Sequence, residues 1–277
     1  MARVPGVTSD DPESVPVRDP GDGGQLYGQD PRSYRAGRPD YPERVYDVLV
    51  HRCGLREGSR VVEIGPGTGL ATAKMLSFGA NVTGVEVNAS MAQYLLETLG
   101  DKDLDVVVAP FEDAQLANGA FDLAVAANSF HWVELAVAAR KLRRLVVPGG
   151  WVGIWGMLFD DPTRPDDLGP YLQSLLGVSS TLTAGPGSLL SRLDEAAGLP
   201  DLREAGFVVI ESELIRSTMT MDAVQVRALY ASMTLILCRP PPEQARLLDA
   251  LEEIVRDQLG GRVDRHFVTR LHTARNP

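Results

Sequence analysis

Cysteine is nearly absent from this chain: 277 residues hold two, Cys53 and Cys238, and no C-x-x-C pair. That count and spacing exclude a disulfide framework and a thiolate zinc site, and a reduced, cytoplasmic setting is the expectation. No apolar run approaches the ~20 residues that span a bilayer. The amino-terminal stretch carries Asp10, Asp11 and Glu13 among prolines and glycines, so it does not read as a secretory signal. Positive charge is also scarce, with 27 Lys and Arg against 37 Asp and Glu and a net charge of −10. Such a balance counts against a nucleic-acid partner, whose phosphates are held mainly by basic side chains. The basic group Arg140, Lys141, Arg143 and Arg144 reads as a solvated face near a helix C-terminus. Gly-Lys-Ser and Gly-Lys-Thr are missing, which excludes a P-loop, and no H-E-x-x-H or clustered His and Asp offers a metal site.

What is present is an ordinary globular composition, 44% hydrophobic and 23% charged, long enough for one large domain with an insertion or extension. Residues 1–26, broken by Pro5, Pro12, Pro16 and Pro20, read as a flexible tail. Residues 27–59 read as an N-terminal lid and a first helix, with Val45, Val48 and Leu49 on one apolar face. From 60 to 156, strands at 60–64, 81–87, 105–109, 121–126 and 151–155 alternate with helices at 70–78, 89–99 and 135–146. Pro148-Gly149-Gly150 is read as the stop between the last helix and its strand. Residues 157–205, rich in Pro, Gly and Asp, read as a capping insertion with helical pieces at 168–176 and 188–197. Residues 206–277 supply strands at 207–216 and 266–272 and helices at 221–231 and 242–259, completing the sheet. The pattern predicts an α/β fold: a doubly wound, Rossmann-like seven-stranded sheet with helices on both faces, its ligand lying at the carboxyl ends of the strands.

The most informative stretch is Val61-Val62-Glu63-Ile64-Gly65-Pro66-Gly67-Thr68-Gly69-Leu70. It runs from a buried strand through a glycine turn into a helix, so a ligand can rest on backbone and on the helix's free N–H groups. The dinucleotide fingerprint needs a small residue where Leu70 stands. Glu63 would repel a pyrophosphate and attract the ammonium of an amino-acid moiety. Glu86, closing the second strand, is placed to accept hydrogen bonds from both ribose hydroxyls. Together the two carboxylates ask for a cationic aminoacyl nucleoside.

In these residues the chain resembles the class I S-adenosylmethionine-dependent methyltransferases. The resemblance rests on VVEIGPGTG from Val61, GVEVNASM from Gly84, PFEDA from Pro110, FDLAVAANSFHW from Phe121 and LVVPGGW from Leu145. It implies S-adenosylmethionine as cofactor and S-adenosylhomocysteine as product. Glu63 and the Gly65, Gly67 and Gly69 turn would take the methionine end and Glu86 the ribose, with Val87 among the cofactor-binding residues. Met91 would face the adenine, Phe111 and Glu112 would form its rim, and Asn128 would lie beside the sulfonium. Asn128-Ser129-Phe130-His131-Trp132 and the opening YRAGRPDYP look like the bacterial small-molecule group similar to trans-aconitate methyltransferase.

A small-molecule methyl acceptor is therefore the expectation, with no nucleic acid, no membrane and the oligomeric state open. A non-methylating cyclisation on the same fold and a protein acceptor stand as alternatives. His131 reads either as a general base for a hydroxyl or amine acceptor or as a packing residue. Tyr34, Arg38, Trp132 and Tyr230 are the candidates for substrate and lid contacts. Replacing Glu86 with Ala should weaken S-adenosylmethionine binding about tenfold or more, the scale of lost charge-assisted hydrogen bonds. Calorimetry showing unchanged affinity would remove the ribose assignment.

Overall fold

The computed structural model of the chain describes residues 30–177, 193–195 and 197–277. The expected tail at 1–26, the start of the expected lid and most of the expected helix at 188–197 lie outside them. Two helices lead, α1 (Pro31–Gly37) and α2 (Glu43–His51). Then come β1 (Arg60–Ile64), α3 (Leu70–Ser77), β2 (Asn81–Glu86), α4 (Ala89–Leu99), β3 (Leu104–Val108) and β4 (Phe121–Ala127). A short 3₁₀ turn, Phe130–Trp132, precedes α5 (Leu135–Leu145) and β5 (Val146–Leu158). Helices α6 (Gly169–Leu176) and α7 (Leu199–Glu204) lead to β6 (Val208–Asp222). Then α8 (Ala223–Ala231), α9 (Thr234–Leu237) and α10 (Pro241–Glu253) run into a π turn, Ile254–Gln258, and β7 (Arg262–Arg275) closes the chain.

The seven strands form one sheet in the order β3-β2-β1-β4-β5-β7-β6. Strands β1 to β5 are parallel, and β7 runs antiparallel to both β5 and β6. Chain order reverses between β1 and β4, and ligands of open α/β sheets collect at such a switch point. Each face carries its own apolar core, because alternate residues of a strand point to opposite sides. Val61 packs with Leu49, Met75 and Leu95 beneath α2, α3 and α4. Val62 and Ile64 pack with Leu142 and Leu145 of α5 on the other side.

Three boundaries differ from the sequence reading. Pro148-Gly149-Gly150 does not separate helix from strand but lies inside β5, where the register with β4 slips between Phe121 and Leu123. An irregularity of this kind accommodates residues that a regular ladder would reject. The last two strands are also far longer than their most apolar stretches, since each completes its backbone hydrogen bonds on the other from Val208↔Arg275 to Asp222↔Arg262. Finally, the proline-broken opening segment contains α1, capped by the Asp30 side chain on Ser33 N. Gly37 lets α1 approach α8: a Cβ there would stand 2.1 Å from the Ala228 carbonyl oxygen.

No helix among the described residues is long and apolar enough to cross a membrane. The segment after β5 is tied down by a buried ion pair between Arg265 of β7 and Asp166. The same guanidinium donates to the Phe159 carbonyl and the Tyr230 hydroxyl, both at 3.0 Å. Removing one member strands a buried charge, so Arg265→Ala should lower stability by about 3–5 kcal/mol. Chemical denaturation checks this; a midpoint within error of the parent protein would show that the pair contributes nothing.

Candidate functional site

Where β1, β2 and β4 end, a cavity of about 330 Å³ opens over the glycine turn. Glu63, Glu86, Met91, Phe111, Glu112 and Asn128 all line it, although they come from four separate stretches of chain. Glu63 is 1% exposed, and its Oε2 accepts a 2.6 Å hydrogen bond from Thr72 Oγ1 on α3. Burial pushes its carboxyl up to about 7 against the pull of that bond. Near neutrality the crevice therefore holds a carboxyl balanced between its two forms, and a cation beside it tips it to the charged one.

The three glycines divide the work. Gly65, at φ 62°, has no room for a side chain because a Cβ would meet Ser129 Cβ at 2.7 Å. Gly67, at φ 57°, looks into open space and donates its N–H to Glu86 Oε2 at 2.9 Å. Gly69 does not line the cavity. Its Cα packs on α4, where a Cβ would collide with Leu95 and Leu99 at 2.6 and 2.9 Å. Close packing of helix onto neighbour thus falls to Gly69, which frees the next position to be Leu70.

Glu86 accepts from Gly67 N and, through Oε1, from Asn88 N at 2.9 Å. A carboxylate has about four acceptor sites, so capacity remains for a hydroxyl. Val87 beside it is largely exposed and lines the cavity, and Met91 is buried against its wall. Phe111 and Glu112 sit on a turn that Lys141 clamps from below, its ammonium donating to the carbonyls of Phe111, Glu112 and Ala114 at 2.6, 3.1 and 2.5 Å. Lys141 is therefore not on a solvated helix face; it is buried, and burial holds its pKa below the usual lysine value. Glu112 also anchors the start of α5, accepting from Glu134 N at 2.7 Å.

Asn128 stands at the junction with a second cavity of about 210 Å³. It adopts φ 55°, a left-handed conformation that Asn tolerates better than most residues. Its Oδ1 accepts from Met157 N at 2.7 Å and its Nδ2 donates to Tyr41 Oη at 3.3 Å. Tyr34 and Trp132 line both cavities, and Arg38 and His131 line the second. Arg38 donates to the Ser232 carbonyl at 2.7 Å and stacks on Tyr34 and Phe159. The His131 ring leans on Trp132 with centroids 4.6 Å apart, and desolvation by its surroundings holds its pKa below the ordinary histidine value.

One expected contact fails. Tyr230 lines neither cavity; its side chain is buried and its hydroxyl is taken up by Arg265. Thr72, Lys141 and His272 went unread as parts of the site. His272 lies in β7, which reaches the site through the antiparallel return beside β5, and nothing local in the sequence places it there.

Comparison with known proteins agrees with this geometry. Residues 62–154 match the family model described as "Methyltransferase domain", which spans β1 to most of β5. An uncharacterized methyltransferase of Schizosaccharomyces pombe is 24% identical over 238 residues, covering 84% of this chain and 88% of its own length. The solved structure of phosphoethanolamine N-methyltransferase 2 from Haemonchus contortus, in complex with phosphomonomethylethanolamine and S-adenosylhomocysteine, superposes with TM-score 0.55 at 17% identity. It is matched over 96% of this chain, which spans 61% of that enzyme's length. The [4+2]-cyclase SpnF superposes with TM-score 0.56 at 19% identity, over 96% of this chain and 99% of its own. At such identities the two structures share the fold.

The cavity fits a cationic aminoacyl nucleoside: a dry carboxyl for an ammonium, remaining acceptor capacity on Glu86 and an apolar wall at Met91 and Phe111. Because binding an ammonium favours ionised Glu63, a proton must leave below pH 7. Affinity for S-adenosylmethionine should therefore rise with pH from about 5.5 to about 7.5, by at most about tenfold per unit. Calorimetry across that range on the parent protein and Glu63→Gln checks it. The variant should bind more weakly with a flatter profile, and a parent profile already flat below neutrality would contradict the assignment.

Proposed function

We propose that this S-adenosylmethionine-dependent methyltransferase passes its methyl group to a small molecule seated in the second cavity. The observation that carries the reading is the junction: Tyr34, Asn128, Ser129 and Trp132 line both cavities, so two ligands meet there. The second cavity, at about 210 Å³, is below the ~300–1,000 Å³ of typical drug-sized sites, which favours a compact acceptor. When bound, S-adenosylmethionine supplies a methyl group on a positively charged sulfur. Glu63 holds its ammonium, the Glu86 carboxylate its ribose, and Val87, Met91, Phe111 and Glu112 frame its base. Asn128, pinned by Met157 and Tyr41, orients the meeting point.

The chain's contribution is alignment and the exclusion of water. An acceptor oxygen or nitrogen that carries a proton must also lose it. His131 is suited to take that proton, since its lowered pKa keeps it neutral at pH 7. In this reading 60–156 carries the cofactor, the described parts of 27–59 and 157–205 frame the acceptor side, and 206–277 completes the sheet. The free cysteines, buried Cys53 and exposed Cys238, support a cytoplasmic setting for the enzyme.

Among relatives, a sterol 24-C-methyltransferase of Gibberella zeae is 28% identical over 176 residues, which supports a small-molecule acceptor. Ring closure without methyl transfer on the same fold is the second reading. Incubation with methyl-labelled S-adenosylmethionine and a metabolite panel separates them. Label in a small product with equimolar S-adenosylhomocysteine is the expected result, and His131→Ala should slow turnover while cofactor affinity stays intact. A converted metabolite without label establishes the cyclase reading, and label on polypeptide alone would overturn the small acceptor.

A further inference from the structure

The two cavities carry opposite charge. Glu63, Glu86 and Glu112 line the larger one, whereas among the described residues no Asp or Glu lines the second. Arg38 lines the second and not the larger. The imidazoles of that lining, His131 and His272, add no positive charge at neutral pH. Desolvation holds the first below the ordinary histidine value and brings the other down to about 4. Asp194, beside His272, stands outside the lining and is paired with Arg270 at 2.8 Å. A guanidinium stays charged in proteins, so the second cavity holds a permanent cation with no carboxylate in its described wall.

Several features place that cation. Gly37 seats the end of α1 against α8, and the next residue, Arg38, donates from Nη2 to the carbonyl of Ser232 at the C-terminal end of α8. The guanidinium carbon lies 4.8 Å from the Tyr34 ring centroid and 4.5 Å from that of Phe159. These contacts fix the group without neutralising it, since neither a ring nor a carbonyl carries net charge. The polar neighbours are already engaged within the fold: Ser129 Oγ donates to the Ile64 carbonyl, and the Asn128 amide is held by Met157 N and Tyr41 Oη. One guanidinium among Phe130, Ile154 and Phe159 suits a singly charged carboxylate better than a doubly charged phosphate. Its planar fork of donors also matches carboxylate geometry.

The place of Arg38 decides what such a carboxylate does. Tyr34, Asn128, Ser129 and Trp132 line both cavities, and Arg38 lines only one. A carboxylate on Arg38 is therefore set apart from the junction where the methyl group is passed, as a handle. A cationic acceptor would instead meet the guanidinium and the sulfonium in one small space, repelled by both.

We propose that Arg38 is a specificity-determining residue of the acceptor site, pairing with a carboxylate that the compact acceptor carries besides its methyl-accepting atom. This rests on the second cavity being the acceptor site.

The test uses the full chain saturated with S-adenosylhomocysteine and two single-ring probes of closely similar shape, benzoate and benzamide, which differ in charge. Calorimetry on the parent protein should show benzoate at least about tenfold tighter, the scale of a charge-assisted pair. Arg38→Met should bring the two probes within about twofold of each other, and Arg38→Lys, which keeps the charge without the fork, should restore part of the preference. The preference is a ratio taken within each protein, so a variant that only loosens α1 weakens both probes and leaves the ratio as it was. Equal affinities in the parent protein, a benzoate preference that survives Arg38→Met, or failure of both probes to bind the parent each overturns the proposal. Labelled methyl products without a carboxylate also overturn it and leave the small-molecule reading standing. An Arg38-dependent benzoate preference with no labelled small product would instead establish the anion site and remove the acceptor reading.

Discussion

A carboxyl group with almost no water around it, at the end of the central strand, is the constraint on which the rest of this structure depends. Among the described residues Glu63 has one hydrogen-bond donor, the Thr72 hydroxyl, and burial lifts its pKa to about 7. Keeping an acidic residue there costs stability that a leucine would not cost, because the charged form is poorly solvated. The sign of the linkage is the reverse of an ordinary salt-bridged acid. The stability that Glu63 lends is complete below the unfolded value of about 4.5 and is lost as pH rises toward 7. A cation delivered to the site would offset this.

Around that carboxyl each neighbouring feature has a consequence. The left-handed turn aims the Gly67 N–H at Glu86, which couples the two carboxylates through one loop. Gly69 brings α3 against α4, so the turn is held by the apolar core beneath it. On the far side, Lys141 gathers three carbonyls into the turn that bears Phe111. The long β6–β7 ribbon then carries His272 to the second cavity, and the Arg265–Asp166 pair steadies the segment bearing Phe159.

Much of this was legible in the chain because the signals are local. β1 and α4 fall where sequence places them, since a β-branched run before glycine and an Asn cap before spaced apolar residues act within a few positions. The gathering of Glu63, Glu86, Phe111 and Asn128 at one cavity was legible for the same reason: they end or follow consecutive strands of a parallel sheet. What escaped depends on distant pairing. Pro148-Gly149-Gly150 looks like a stop until β4 supplies the irregular register that absorbs it. Lys141 resembles its solvated arginine neighbours until the 110–114 turn closes over it. Tyr230 seemed free to reach the site, but its hydroxyl belongs to Arg265, 35 residues along the chain. His272 sits in a strand whose position beside β5 is set only when the antiparallel return is complete.

The central claim is that the crevice recognises the cationic amino-acid end of its ligand through Glu63, with the nucleoside end held separately by Glu86. The most direct measurement is the affinity of the protein for S-adenosylhomocysteine beside that for 5′-methylthioadenosine, which keeps the nucleoside and sulfur but lacks the ammonium and carboxylate. At neutral pH S-adenosylhomocysteine should bind at least about tenfold more tightly, on the scale of a buried charge-assisted contact, and Glu63→Gln should shrink that gap. Equal affinities for the two ligands would contradict the account.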